Sequence, residues 1–190
     1  MQSELSTSPP PIATPNASSS TGATVEPISA TVPDWTREDP DPQWRREPGK
    51  ALIRSIRRYQ KWKTSKGPIA RLMQKYYAMK WRFWSAVTSS DIALTTRIDG
   101  GLVLPHPVGI VIHKDAKIGP NCMIFQHVTL GYGGKRPGAP TLGGHVDVGA
   151  GAVLLGGIHI GDHAKVGANA VVLIDVPPGK TAVGVPARIV

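Results

Sequence analysis

Large aliphatic residues recur at every sixth position through the second half of the chain. Apart from one interruption, the series is Ile112, Ile118, Ile124, Leu130, then Leu142, Val148, Leu154, Ile160, Val166 and Val172. The residues two positions earlier are small or apolar, as at Ala116, Cys122 and Ala152. A period of six fits neither the 3.6-residue repeat of an α-helix nor the alternation of a half-exposed strand. It is typical of a parallel β-helix, so we predict an all-β coil over residues 91–190.

A first break in the series falls at "PHPVG", residues 105–109. Ile92, Ile98 and Leu104 also follow a six-residue period, but their phase differs by two from that of Ile112 and its successors. This shift indicates an insertion of two residues that carries His106. A bulge of this kind turns a side chain out of the regular inward and outward order, often beside an active site.

A second break falls at Gly131–Thr141, "GYGGKRPGAPT". Arg136 occupies a position where the period calls for an aliphatic residue. We therefore predict that this coil opens into a glycine- and proline-rich loop. Loops on rigid scaffolds frequently carry binding groups.

The N-terminal half has a different character. Residues 1–33 are rich in Ser, Thr, Pro and Ala, a composition that predicts a disordered tail. Residues 34–90 are predicted to form a basic helical segment. Two sets of apolar residues there recur at helical spacing on either side of a "KGP" break: Leu52, Ile56 and Tyr59, then Leu72, Tyr76, Met79 and Phe83.

The basic charge of the chain is concentrated in this helical segment. The formal net charge is +9, and residues 45–82 hold 13 Lys and Arg against one acidic residue, Glu47. One interpretation is an oligomerisation or docking helix pair with a solvated charged face. The other is contact of residues 45–83 with anionic lipid or a lipid-linked substrate. No recognition motif supports a nucleic-acid-binding module, so we predict no nucleic-acid partner.

Several features predict a cytoplasmic protein, with the inner face of the membrane as an alternative location. The single cysteine, Cys122, excludes an intramolecular disulfide, which fits a reducing compartment. The sequence has no apolar run long enough to cross a membrane and no signal-peptide pattern at its start.

Several stretches resemble the serine acetyltransferase family of hexapeptide-repeat acyltransferases. They are "DIALTTRIDGGLVLPHPVGIVI", "IFQHVTLG", "VGAGAVLLG" and "VGANAVVLIDVPPGKTAVGVPARIV", within residues 91–190. The resemblance implies a left-handed β-helix, a homotrimer with active sites between subunits, and acetyl-CoA as co-substrate with no metal. The N-terminal helices correspond loosely to that family's oligomerisation domain.

The resemblance assigns His106 as general base and Asp91, fifteen residues earlier, as the carboxylate that orients it. This pairing is chemically reasonable. A hydroxyl that attacks a thioester must lose its proton, and a neutral imidazole accepts protons near pH 7. A carboxylate on the far ring nitrogen fixes the tautomer and stabilises the imidazolium. The alternative interpretation of His106 is a purely structural bulge residue.

The resemblance also implies an acetyl-CoA site. The pantetheine arm of the family lies along positions matching Ala150 and Ala168, with Lys165 near the cofactor. Arg188 is a candidate for binding its phosphates, and the backbone N–H groups around Gly131 for stabilising an oxyanion. Residues 18 apart stack in a three-sided coil, which predicts one column of four: Tyr132, Ala150, Ala168 and Pro186.

Three departures from the family pattern concern the acceptor. Pro105 precedes the base where the family has Asp, and Gly138 and Ala139 stand where it has an Arg-His pair, in a loop two residues shorter. A site for serine needs charged partners for its amine and carboxylate. We therefore expect a sugar hydroxyl as acceptor, as in the colanic-acid-type exopolysaccharide acetyltransferases. The alternatives are a serine O-acetyltransferase of cysteine biosynthesis and a non-catalytic hexapeptide scaffold.

Two other sets of residues are expected to be structural. His127, His145 and His163 are 18 apart and are predicted to form a ladder on one outer edge. No carboxylate or cysteine joins them at metal-ligand spacing, so surface residues are the preferred interpretation. Cys122 occupies a small inward position, which favours a role in the core over one as nucleophile.

Overall fold

The computed structural model describes residues 28–39 and 47–190 of the chain. Its helices are a 3₁₀ helix (Trp35–Glu38), α1 (Pro48–Lys63) and α2 (Pro68–Thr88). Short strands follow: β1 (Asp91–Ile92), β2 (Arg97–Ile98), β3 (Val111–Ile112), β4 (Lys117–Ile118), β5 (Met123–Ile124), β6 (Thr129–Gly131), β7 (Thr141–Leu142), β8 (Asp147–Val148), β9 (Val153–Leu155), β10 (His159–Ile160), β11 (Lys165–Val166), β12 (Val171–Val172), β13 (Thr181–Gly184) and β14 (Ala187–Ile189).

The strands stack into three sheets that form the sides of a coil. Sheet I has the order β1-β3-β6-β9-β12, sheet II the order β2-β4-β7-β10, and sheet III the order β5-β8-β11-β13-β14. All pairings are parallel except that between β13 and β14. Each turn of the chain contributes one strand to each sheet, so the predicted parallel β-helix is confirmed.

The core of the β-helix is the six-residue series itself. Each of the ten large aliphatic positions from Ile112 to Val172 is at most 3% exposed. The small positions two residues earlier, from Ala116 to Ala170, are equally buried. Each fully buried leucine or isoleucine stabilises the fold by roughly 1.5–3 kcal/mol over leaving it exposed.

The strand register confirms both predicted breaks. Consecutive coils are usually 18 residues long, as between Val111 and Thr129. Asp91 instead pairs with Val111, twenty positions later, so the "PHPVG" coil contains two extra residues. Thr129 pairs with Val153, twenty-four positions later, so the loop after Gly131 adds one full hexapeptide.

The predicted histidine ladder is wrong for one of its three members. His145 and His163 do stack, with Nδ1 atoms 2.9 Å apart. His127 lies on a different edge of the coil, stacked against Gly109, because the 24-residue coil shifts it out of line. All three histidines adopt positive φ at the corners of their coils.

Residues 28–39 lie against the first coils. The buried side chain of Asn121 accepts a hydrogen bond from the Asp34 N–H and donates to the carbonyls of Ser29 and Val32. We call residues 28–39 the N-terminal strap. The predicted tail, residues 1–33, overlaps the strap at its end, and its residues 1–27 lie outside the described part.

The two predicted helices are confirmed as α1 and α2. Proline stands at the first turn of each, where the missing N–H costs no helical hydrogen bond. Leu52 and Ile56 of α1 are buried against the β-helix. The indole of Trp81 in α2 donates to the carbonyl of Ile92, which ties the helices to β1.

Candidate functional site

His106 stands on the two-residue insertion, where it is exposed. The insertion is held by Ser90, whose buried hydroxyl lies 3.1 Å from the Pro107 carbonyl and accepts from the Ile110 N–H. The Gly109 N–H donates to the carbonyl of Thr88, at the end of α2. These hydrogen bonds fix the backbone that follows His106, and the imidazole is exposed to solvent.

Asp91 opens β1, one coil before the strand that follows the insertion. Its side chain is exposed, and its N–H donates to the carbonyl of Ile110. Within the described chain the Asp91 carboxylate makes no hydrogen bond or ion pair with His106. Asp91 stands at the start and His106 near the end of the same coil, and the predicted base–carboxylate pairing stays a prediction.

A cavity of about 690 Å³ opens beside His106. Its walls come from the insertion, from the first turn of α1 and from the strap residue Arg37. Lys50 of α1 also lines it, with its Nζ 3.1 Å from the Glu47 carboxylate. The Phe125 ring lies 6.4 Å from the His106 ring, centroid to centroid. The space next to the candidate base is therefore bordered by two cationic side chains, Arg37 and Lys50, and by the Glu47 carboxylate.

One edge of the coil joins His106 to the predicted donor positions. This edge, where the chain passes from sheet III to sheet I, we call the base edge. Backbone hydrogen bonds run along it from coil to coil: His127 N–H to Val108 carbonyl, Gly151 N–H to Gln126 carbonyl, and Asn169 N–H to Ala150 carbonyl. With about 4.8 Å between coils, Ala150 and Ala168 lie roughly 10 and 14 Å from the coil of His106.

The predicted column of residues 18 apart is therefore correct for Ala150 and Ala168 and wrong for Tyr132 and Pro186. Gln126 stacks on Ala150, because the long loop displaces Tyr132 to another edge of the coil. At the far end Gly184 follows Ala168, since Val166 pairs with Ala182. Counting along the sequence predicts that Gln126 stacks on Ala150 only if the six extra residues of that coil are included. Its side-chain Oε1 is buried and makes no hydrogen bond within the described chain.

Lys165 and Arg188 lie on sheet III, next to the base edge. Lys165 belongs to β11, three residues before Ala168, and its side chain is exposed. Arg188 is exposed on β14 and pairs with Val183 of β13. Lys165 and Arg188 thus place two positive charges on sheet III, beside the end of the base edge that carries Ala150 and Ala168.

Gly131 does not lie near His106 in one chain. It ends β6 at the opposite edge of sheet I, where its carbonyl accepts from the Gly156 N–H. The loop that follows folds back on the next coil, and Arg136 binds Asp175 at 2.6 Å. The hydrogen bond from Arg136 lowers the pKa of the Asp175 carboxyl. Ala139 packs against the hydrophobic core, so this loop position offers no polar group.

Two further observations limit the chemistry of the described residues. Burial raises the pKa of the Cys122 thiol to about 12, which is unsuited to a nucleophile and agrees with its predicted place in the core. Within residues 28–39 and 47–190, no group of three or more His, Cys, Asp or Glu side chains is placed to bind a metal ion.

Comparisons with known proteins show similarity to serine acetyltransferases in both sequence and structure. No protein-family model matches the chain. It is 49% identical over 105 residues to "Probable serine acetyltransferase 1" of Oryza sativa subsp. japonica, a match that covers 54% of this chain and 35% of the rice protein. The structure "Soybean Serine Acetyltransferase Complexed with Serine" matches with a TM-score of 0.64 and 40% identity, over 75% of this chain and 57% of that one.

A bacterial structure extends the likeness. The serine acetyltransferase of Brucella abortus strain S19 in complex with coenzyme A matches with a TM-score of 0.65 and 32% identity, over 79% of this chain and 61% of that one. The chain thus spans less than two thirds of the length of these relatives. In fold, its coil matches the left-handed β-helix of these serine acetyltransferase structures.

Proposed function

We propose that the protein is an O-acetyltransferase that uses acetyl-CoA, with His106 as general base. The observation that carries this proposal is the position of His106 on an exposed bulge at the head of the base edge, in line with Ala150 and Ala168. The similarity to serine acetyltransferases, one of them in complex with coenzyme A, supports it.

His106 would accept the proton that the acceptor hydroxyl loses as its oxygen attacks. The imidazole is exposed beside the cavity, where an acceptor can reach it. Asp91 would orient the ring through its other nitrogen and stabilise the imidazolium. Ser90 and Thr88 hold the backbone of residues 107–110, next to the imidazole that would fill both roles.

The residues along the base edge fit acetyl-CoA, which supplies the thioester acetyl group when bound. Ala150 and Ala168 project only methyl groups there, so a thin chain can approach the backbone closely. Lys165 and Arg188 are exposed cations on the adjoining sheet and would pair with phosphates. Gln126 lies on the same edge, and its buried Oε1 would have to turn outward to accept a hydrogen bond from an amide of the bound molecule.

Serine is the acceptor favoured by the similar proteins, since their names specify serine acetyltransferases. A sugar hydroxyl is the second candidate, and one observation favours it. Pro105 and Gly138 supply no charged side chain, and Ala139 turns its methyl group into the core. A zwitterionic amino acid would find fewer partners at these positions than in the family pattern.

The site would be completed by a neighbouring copy. In one chain the Gly131 loop and His106 lie at opposite edges of sheet I, so they cannot face a single acceptor. Three coils packed around a threefold axis would bring the loop of one subunit to the base edge of the next. We therefore propose a homotrimer.

Thiol release from acetyl-CoA tests the catalytic proposal. Wild type is expected to release thiol with serine or with a sugar acceptor, and His106→Ala to lose roughly 10²–10⁴-fold of that rate. His159→Ala is the matched control, since His159 is an exposed histidine on sheet II. Equal rates for wild type and His106→Ala would refute the role of His106. Inertness of wild type with every acceptor would favour the non-catalytic scaffold.

Mixed oligomers test the shared site. One subunit carries His106→Ala and the other lacks loop residues 133–138. Each variant alone is expected to be inactive, and the mixture to regain a fraction of the wild-type rate in sites that combine an intact base with an intact loop. A mass of one chain in light scattering, or no recovery on mixing, would refute the shared site.

A further inference from the structure

Helix α2 presents a continuous apolar face away from its own protein. Six residues at spacings of three and four form it, and we call them the apolar stripe: Ile69, Leu72, Tyr76, Met79, Phe83 and Val87. Their exposed fractions range from 44% for Tyr76 to 69% for Ile69. The opposite face of α2 packs against the rest of the protein, and Ala70 and Thr88 are buried there. At 1.5 Å per residue the stripe is about 27 Å long, and an exposed patch of this size marks an interaction surface.

Cations border the apolar stripe on both sides. Arg71, Lys75 and Arg82 are exposed and recur at spacings of four and seven along one flank. On the other flank the Lys80 ammonium lies 5.4 Å from the centre of the Tyr76 ring. Residues 48–88 contain eleven Lys and Arg and no acidic residue. The helix pair therefore offers a partner an apolar surface framed by positive charge.

This combination selects one kind of partner. If the α2 helix of a second copy covered the stripe, the cationic flanks of the two helices would meet with no carboxylate on either helix pair to neutralise them. An anionic bilayer provides hydrocarbon for the stripe and negative headgroups for the flanks at matching depths. None of the described helices is long and apolar enough to cross a membrane. We propose that α2 lies in the interface of an anionic membrane, with the apolar stripe among the acyl chains.

Docking through α2 would also fix the position of the candidate site. The helix ends at Thr88, whose carbonyl accepts from the Gly109 N–H in the insertion that carries His106. The cavity beside His106 would then stand at a set distance from the lipid surface. The docking itself does not depend on the catalytic proposal, because it rests on the helix alone.

Flotation with vesicles tests the proposal on the full chain. We expect wild type to float with vesicles of phosphatidylcholine and phosphatidylglycerol, weakly with phosphatidylcholine alone, and less at high salt. Leu72→Ser/Met79→Ser is expected to lower the binding about tenfold or more. Ile174→Ser is the matched control, since Ile174 is an exposed apolar residue on the β-helix. Circular dichroism establishes that each variant is folded.

Other results would overturn the proposal. Wild type that stays unbound with anionic vesicles would do so, as would equal binding by wild type and the stripe variant. A fall in the lipid-free oligomer mass that is confined to the stripe variant would assign the stripe to a second copy instead.

Discussion

Glu38 and Arg57 join the N-terminal strap, α1 and the first coil of the β-helix. The guanidinium donates from Nη2 and Nε to the two carboxylate oxygens at 2.8 and 3.2 Å. Glu38 Oε1 also accepts from the N–H groups of Gly101 and Leu102. Arg57 donates further to backbone carbonyls and stacks over the Trp35 ring, 5.1 Å from its centroid.

We predict that Glu38→Gln destabilises the protein by about 2–3 kcal/mol. Removing one partner of a buried ion pair costs roughly 3–5 kcal/mol, and we lower that figure because 13% of the Glu38 and 20% of the Arg57 side chain is exposed. The amide oxygen of glutamine can still accept from Gly101 and Leu102, but its NH₂ group then faces the guanidinium donors. The measurement is urea unfolding followed by circular dichroism at fixed protein concentration.

Glu47→Gln is the matched control. Glu47 also pairs with a cation, Lys50, but both side chains are 27% exposed, so we expect a loss of about 0.2–1 kcal/mol. A double-mutant cycle of Glu38→Gln with Arg57→Met isolates the pair itself. A Glu38→Gln loss no larger than that of Glu47→Gln, or a cycle with no coupling, would refute the argument.

Three further predictions follow from local geometry. Gly109→Ala is expected to cost about 1–2 kcal/mol, because φ is +64° and a Cβ would lie 2.4 Å from His127 Nδ1. His127→Gly should recover part of that loss in urea unfolding, and no recovery would contradict the contact. Native Cys122, with its raised pKa, should resist a thiol reagent at about pH 8 until urea unfolds the protein; rapid labelling would contradict its burial. Burial is the largest cause that lowers the pKa of His145; nearby Asp147 opposes this shift, and His163 adds to it. The unfolded state therefore binds the proton more readily, so stability should fall as the pH drops below about 6.5. In His145→Asn the urea midpoint should decrease less as the pH drops. A pH profile identical to that of wild type would refute this prediction.

The six-residue period was sufficient to predict the fold and both breaks in it. An inward position in a narrow coil accepts only aliphatic or small side chains. Each coil is therefore recognisable in the sequence by its aliphatic repeat. The position of His106 followed for the same reason, since an insertion appears as a change of phase. Ala150 and Ala168 were placed correctly because no insertion separates them.

Residues that stack on one another in successive coils could not be predicted by counting in steps of 18 where an insertion lies between them. Tyr132 and His127 were misplaced because the coil gains a hexapeptide after Gly131, where the chain passes from sheet I to sheet II. Arg37 was missed for a different reason. Its place in the cavity wall depends on how the strap folds onto Asn121, a tertiary contact between residues far apart in the sequence.

The extra hexapeptide after Gly131 has an evolutionary consequence. Because the coil closes on itself before the next begins, residues can be added or lost at this corner while the strands above and below keep their partners. Under the proposed function, acceptor preference can therefore diverge through changes in this one loop, while the coil that carries His106 stays the same.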